Sequence, residues 1–287
     1  MLHSFLLINP VEAITNWCLN SAAVLIDHSI GVDQLNDVAN TVGMTADTGY
    51  DYSVLWSVVN DAIAVVKPFG LVLLTTYFLM YLFDVASKDQ ITVDSLIKVL
   101  IQLVIVVALI GNLDAVINAL LSMGESIFSL ITDAITNDPE GNELTGEAIV
   151  DAWYENANDT PATILFQSLI LWCIHQIAII AVYFAIFSRM IELAWRIIFA
   201  PIGIANNFEG GANSAGIRYL KSIAGLALAG AAVFVVCAAG FAISATMLSS
   251  ENAANGDNTT LLGAMAALLA TAGAAIGISG KIKDVFN

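Results

Sequence analysis

Three long runs of the chain contain no Asp, Glu, Lys or Arg: residues 162–188, 222–250 and 259–280. A helix needs roughly 20 apolar residues to cross about 30 Å of hydrocarbon, and each run supplies them. In lipid every backbone polar group must be bonded internally, and uninterrupted runs of this length satisfy that demand as α-helices. Composition agrees, since 58% of the 287 residues are apolar, 12% are charged, and mean hydropathy is +0.82. That leaves too little polar surface for a water-soluble domain of this length. A net charge of −16 also argues against a folded domain that grips nucleic acid by neutralising phosphates.

Two further spans are expected. Residues 68–83 are uncharged and extend to 86 past Asp84, with Pro68 suited to a first helical turn and Lys67 placed to snorkel. Residues 99–113 are too short to cross alone, so the span is read through Asp114 to Leu121. An acid at mid-membrane costs about 2.5–3.5 kcal/mol on the insertion scale, which the strongly apolar start of the run offsets. Lys and Arg then set the orientation. Lys88, Lys98, Arg189, Arg196, Arg218, Lys221, Lys281 and Lys283 fall on alternate connections, against Lys67 alone on the other side. By the positive-inside rule the N-terminus is outside and the C-terminus cytoplasmic.

The expected architecture is an all-α integral membrane protein with about five transmembrane helices and an N-terminal amphipathic helix. Residues 1–61 form an acidic extracytoplasmic head and 62–121 the first two spans. Residues 122–161 form an outer loop with nine acids and no bases. Residues 162–287 hold three spans, a basic cytoplasmic loop at 189–221 and a short cytoplasmic tail. In the head, Val11, Ile14, Cys18, Ala22, Leu25 and Ile26 recur at helical spacing opposite Glu12, Asn16, Asn20 and Asp27. That face suits a membrane surface or a partner, and its lack of Lys and Arg favours a partner.

No catalytic or cofactor motif is present. Cys18, Cys173 and Cys237 have no paired spacing, and His3, His28 and His175 form no ligand pattern. The nearest approach to a phosphate-binding loop, AIGISGKI at 275–282, lacks the first Gly and the final Ser or Thr. The chain reads as a non-enzyme without cofactor or metal. Its candidate intramembrane polar residues are Asp114, Asn118 and His175, because ionisable groups at membrane depth face protein or a wet cavity. His175 reads either as a hydrogen-bonding group between helices or as part of a proton relay. Gly225 and Ala229, with the Gly273/Gly277 GxxxG, form small faces that let helices approach closely. They serve either the packing of the last hairpin or a seam between subunits.

The strongest local signal lies at residues 195–221, WRIIFAPIGIANNFEGGANSAGIRYLK. Met190, Leu193, Ala194, Ile197 and Ile198 form an apolar helical face, Glu192 and Arg196 an i,i+4 pair, and Pro201 ends or kinks the helix. A Gly-rich segment follows. This stretch, carried by Trp195, Arg196, Pro201, Gly210 and Gly211 and followed by a Gly/Ala-rich span, resembles the TrbL family of conjugal transfer proteins. The resemblance is similar in character over about residues 60–285. It implies a polytopic channel component of a type IV secretion system in the bacterial inner (cytoplasmic) membrane. The partners it implies are other secretion subunits and ATPases, the lipid bilayer, further copies in a ring, and translocating DNA only transiently. Arg218 and Lys221 join the loop residues as candidates for partner docking and gating. The tail ends at Asn287 without the long C-terminal extension of many members, which implies a compact form. Competing expectations are a secondary transporter using Asp114, Asn118 and His175, and a membrane anchor with no conduit.

Overall fold

The computed structural model describes residues 10–30, 38, 41, 53–87, 93–136, 146–156, 160–205, 214–248 and 258–286. Among these the regular structure is entirely helical: α1 (Pro10–Ile30), α2 (Ser53–Ser87), α3 (Val93–Gly111), α4 (Leu113–Thr136), α5 (Gly146–Asn156), α6 (Pro161–Ile198), α7 (Ala200–Ala205), α8 (Ala215–Met247) and α9 (Asn258–Phe286). Among the described residues five helices are long and apolar enough to cross a membrane, over Val54–Ser87, Leu113–Ala134, Pro161–Ile198, Ala215–Met247 and Thr260–Ile278. Their outward surfaces carry exposed Val72, Leu79, Phe83, Phe166, Ile177, Ile180 and Phe184, apolar area of a kind that lipid covers.

Local chemistry explains several helix ends. Pro161 opens α6 where a missing N–H costs nothing, and Thr160 caps it, its carbonyl accepting from Thr163 N at 2.8 Å. Ser214 caps α8, its Oγ accepting from Ile217 N at 3.3 Å. The first crossing helix starts at Ser53 rather than after residue 61, so Asp61 and Lys67 lie inside it.

The second span also differs from expectation. The continuous helix expected over 99–121 is divided at Asn112 into α3 and α4. Gly and Asn are poor helix formers. The ladder continues on both sides of the break, with Asn112 N donating to the Ala108 carbonyl at 3.0 Å and Val116 N to the Asn112 carbonyl at 3.2 Å, while the Gly111 carbonyl accepts from Lys67 Nζ. The crossing-length helix is therefore Leu113–Ala134, and 96–111 forms a shorter apolar one.

The chain forms two compact units. The first comprises Met1–Ala39, Thr132–Ala185 and Val233–Gly277. In it α1 packs on α5, burying Ala22 and Ile26 with Ile149, Val150 and Trp153, and the same core takes in Ile164, Leu171 and Leu268. Asp27 Oδ1 accepts from Gly146 N at the start of α5. Of the expected apolar face of α1, Cys18, Ala22 and Ile26 are buried, while Val11 and Ile14 are exposed, as are Trp17 and Val24 of the same helix.

The second unit comprises Asn40–Ile131, Ile186–Ala232 and Ile278–Asn287. Its core joins Val59, Ile63 and Leu74 of α2, Val106 and Ile110 of α3, Ile117 of α4, Leu193 and Ile197 of α6, and Ile204 of α7. The short α7 packs on α2 and α3. A Cβ at Gly70 would stand 2.7 Å from Pro201 Cβ, so only glycine lets α2 meet α7 this closely.

Candidate functional site

In the second unit, α2 and α4 enclose a cavity of about 700 Å³. The lining residues recur at helical spacing on both walls. Asp114, Asn118, Ser122 and Glu125 stand at i, i+4, i+8 and i+11 on α4, and Trp56, Asn60, Ala64 and Lys67 stand likewise on α2. The side chains of Val59, Ile63, Ile117, Leu121 and Ile197 complete it with apolar surface. The polar stripe on α4 runs about 16 Å at 1.5 Å per residue. The cleft is lined by two helices of membrane-crossing length.

The charges in this cleft do not cancel one another. Lys67 Nζ donates to the Gly111 carbonyl at 2.8 Å, one of the carbonyls that a helix C-terminus leaves without a partner. Among the described residues the ion pair present is Arg196 with Glu192, at 3.1 Å. Asp114, one turn beyond Gly111, and Glu125 at the other end of the stripe thus both face the cleft as acids without a salt bridge.

Two of the three expected intramembrane polar residues, Asp114 and Asn118, meet here. His175 does not line this cleft. It belongs to the first unit, is buried, and packs its ring on Phe241 with centroids 5.8 Å apart. Lys67, Asn60, Ser122 and Glu125 were not foreseen as site residues. Ser122 and Glu125 extend the Asp114–Asn118 spacing and become visible once the helix is carried past Leu121.

The region expected as a basic cytoplasmic loop, 189–221, is largely folded. α6 continues to Ile198, a turn falls at Phe199, and Pro201 sits buried in the first turn of α7. Arg196 Nη1 donates to Ser222 Oγ at 2.8 Å, Tyr219 Oη donates to the Arg196 carbonyl at 2.7 Å, and Trp195 lies beside the guanidinium at 5.4 Å. Gly203 lies against the Tyr219 ring, where a Cβ would stand 2.7–2.8 Å away. These contacts staple the end of α6 to the start of α8. Arg218 and Lys221 are exposed, and Gly210 and Gly211 lie outside the described residues.

Arg189 differs most from a loop residue. Its side chain is buried in the second unit, with Nε donating to Leu226 O at 2.7 Å and Nη2 to Ala227 O at 2.8 Å. Nη1 has no hydrogen-bond partner. The guanidinium lies where a Cβ on Gly230 would be, 2.7 Å from Cζ. Gly124 of α4 meets Ala227 at the same level, with a Cβ contact of 3.1 Å. Glycines thus let α6 and α4 close on α8.

The expected small-residue seam divides in two. Gly225 and Ala229 are buried in the second unit. Gly273 and Gly277 are exposed, with nothing within 4 Å of where a Cβ would stand.

No curated protein and no solved structure matches the chain. The family described as TrbL/VirB6 plasmid conjugal transfer like protein matches residues 31–201. The matched region contains the α2–α4 cleft, His175, Trp195, Arg196 and Pro201, and stops short of Gly210, Gly211, Arg218 and Lys221. With more than half of its length matched, the chain belongs to the TrbL/VirB6 conjugal transfer family.

Proposed function

We propose that the chain is a subunit of the inner-membrane conduit of a conjugative type IV secretion system, and that the α2–α4 cleft forms part of the conduit's wet wall. Family membership makes the chain a multi-pass membrane component of conjugal transfer. The conduit role rests on the polar stripe Asp114–Asn118–Ser122–Glu125. Acids on a crossing helix are expensive against lipid tails and belong beside water or protein. The carrier reading placed His175 with Asp114 and Asn118, and it lacks that third member in the cleft.

Two tertiary contacts support the five-span topology. α1 packs on α5, which supports placing α1 and residues 146–156 on one side of the membrane, with an even number of crossings between them. α2 and α4 supply two crossings, and the shorter α3 then stays on the side it starts from. α3 packs on α7, and the same topology puts both of these on the cytoplasmic side.

The test is a conjugation assay on Asp114→Leu and Glu125→Leu, singly and together. Both substitutions make the helix more apolar, so insertion is expected to be unchanged while the double variant lowers transfer at least about 100-fold. Wild-type transfer by the double variant would refute the wall reading.

A further inference from the structure

We propose that the Lys67–Asp114 end of the cleft binds the zwitterionic headgroup of an aminophospholipid, with phosphate on Lys67 and primary ammonium on Asp114. The inference builds on the reading that the cleft faces a wet space, since a headgroup enters with its own water.

Four observations carry it. Lys67 and Asp114 stand at the same end of the cleft, because Lys67 Nζ holds the Gly111 carbonyl and Asp114 follows one turn later. They are opposite charges that do not pair with each other. An ammonium has three donors, so after the bond to Gly111 Nζ keeps two for phosphate oxygens, while the Asp114 carboxylate accepts from a cation. Asp114 stands in the first turn of α4, at the end of a helix of crossing length, where the cleft is open to a ligand's charged group.

The rest of the cleft sets selectivity. Ile63, Ile117 and Leu121 give apolar surface for the glycerol and the first acyl carbons. Glu125 adds a second carboxylate against the single Lys67, which makes the cleft net negative and disfavours anionic lipids. Asn118, one turn beyond Asp114, supplies a neutral acceptor for a second ammonium N–H. A trimethylated headgroup has no N–H to give either acceptor.

The full-length protein, purified in detergent, is incubated with equimolar phosphatidylethanolamine, phosphatidylcholine and phosphatidylglycerol, and retained lipid is read by native mass spectrometry. Phosphatidylethanolamine is expected to be retained about 10-fold over phosphatidylglycerol and several-fold over phosphatidylcholine. Lys67→Met and Asp114→Asn are each expected to remove most of that preference. Asp114→Glu keeps it, and so does Val104→Ala on the exposed face of α3. Equal retention of the three lipids, or a preference that survives both Lys67→Met and Asp114→Asn, overturns the proposal. A variant that loses monodispersity is replaced by Lys67→Arg, which keeps the cation and is expected to keep phosphatidylethanolamine.

Water-soluble thiol reagents applied to single cysteines at Ser122 and Glu125 separate this proposal from the conduit. A reactive stripe with no lipid preference overturns the lipid site and leaves the wet wall standing. A lipid preference with an unreactive stripe overturns the wall. A cleft occupied by a basic segment of a partner protein instead of lipid would appear as no lipid preference at all, and it too overturns the proposal.

Discussion

Replacing Gly230 by Ala tests the mid-helix contact that joins α6 to α8. The added Cβ would meet the Arg189 guanidinium, 2.7 Å from Cζ and 2.8 Å from Nη2. That is closer than carbon atoms come, and Arg189 is too buried to swing aside without giving up its bonds to the Leu226 and Ala227 carbonyls. Hydrogen bonds to charged groups contribute about 1.5–3 kcal/mol in soluble proteins, and interhelical polar contacts in membranes average about 0.6 kcal/mol. Both carbonyls lie inside α8 and keep their own helical N–H partners, which puts the loss of two bonds near ~2–3 kcal/mol. Ala returns up to ~1 kcal/mol of helix propensity over Gly. The net expectation is about 1–2 kcal/mol, a 5- to 30-fold shift in the folded-to-unfolded ratio. Denaturant titration in micelles, followed by tryptophan fluorescence, reads this directly. Arg189→Met removes the group that clashes, so combining it with Gly230→Ala should give much less than the sum of the two single effects, with a coupling of at least about 1 kcal/mol. Gly230→Ala at or above wild-type stability, or strict additivity in the double variant, would show that the guanidinium does not occupy the Gly230 notch.

Gly273→Ala and Gly277→Ala fill open space and are expected to leave monomer stability unchanged or raise it by up to ~1 kcal/mol each. A fall in oligomer size on gel filtration with intact monomers would assign the GxxxG to a seam between subunits, and a destabilised monomer would refute the open face. For orientation, single cysteines at Ala148 and Ala215, both exposed, are placed in a background without Cys18, Cys173 and Cys237. Position 148 is expected to react with an impermeant reagent in whole cells and position 215 only after permeabilisation. The reverse pattern would invert the topology.

Hydropathy along the chain determined that this protein is helical, that it belongs in a membrane, and where four of the five crossing-length helices of the described residues lie. Those properties depend on local composition, and no distant contact is needed to read them. Glu192 with Arg196 was legible for the same reason, since both ends of the pair lie on one helical turn. The interruption at Asn112 was not, because a Gly-Asn step is a weak local signal inside a strongly apolar run and the Gly111 carbonyl at the break accepts from Lys67 on another helix. Asp114 and Asn118 were visible as polar residues in a span, but only the tertiary structure sets them across one cleft from Lys67 and Trp56 of α2. Arg189 shows the limit most clearly. In the sequence it is a basic residue flanking an apolar run, which the positive-inside rule assigns to the cytoplasm. Tertiary structure buries it, because a glycine on another helix leaves room for a guanidinium and two carbonyls of that helix accept its protons. No window of the sequence contains both halves of that contact.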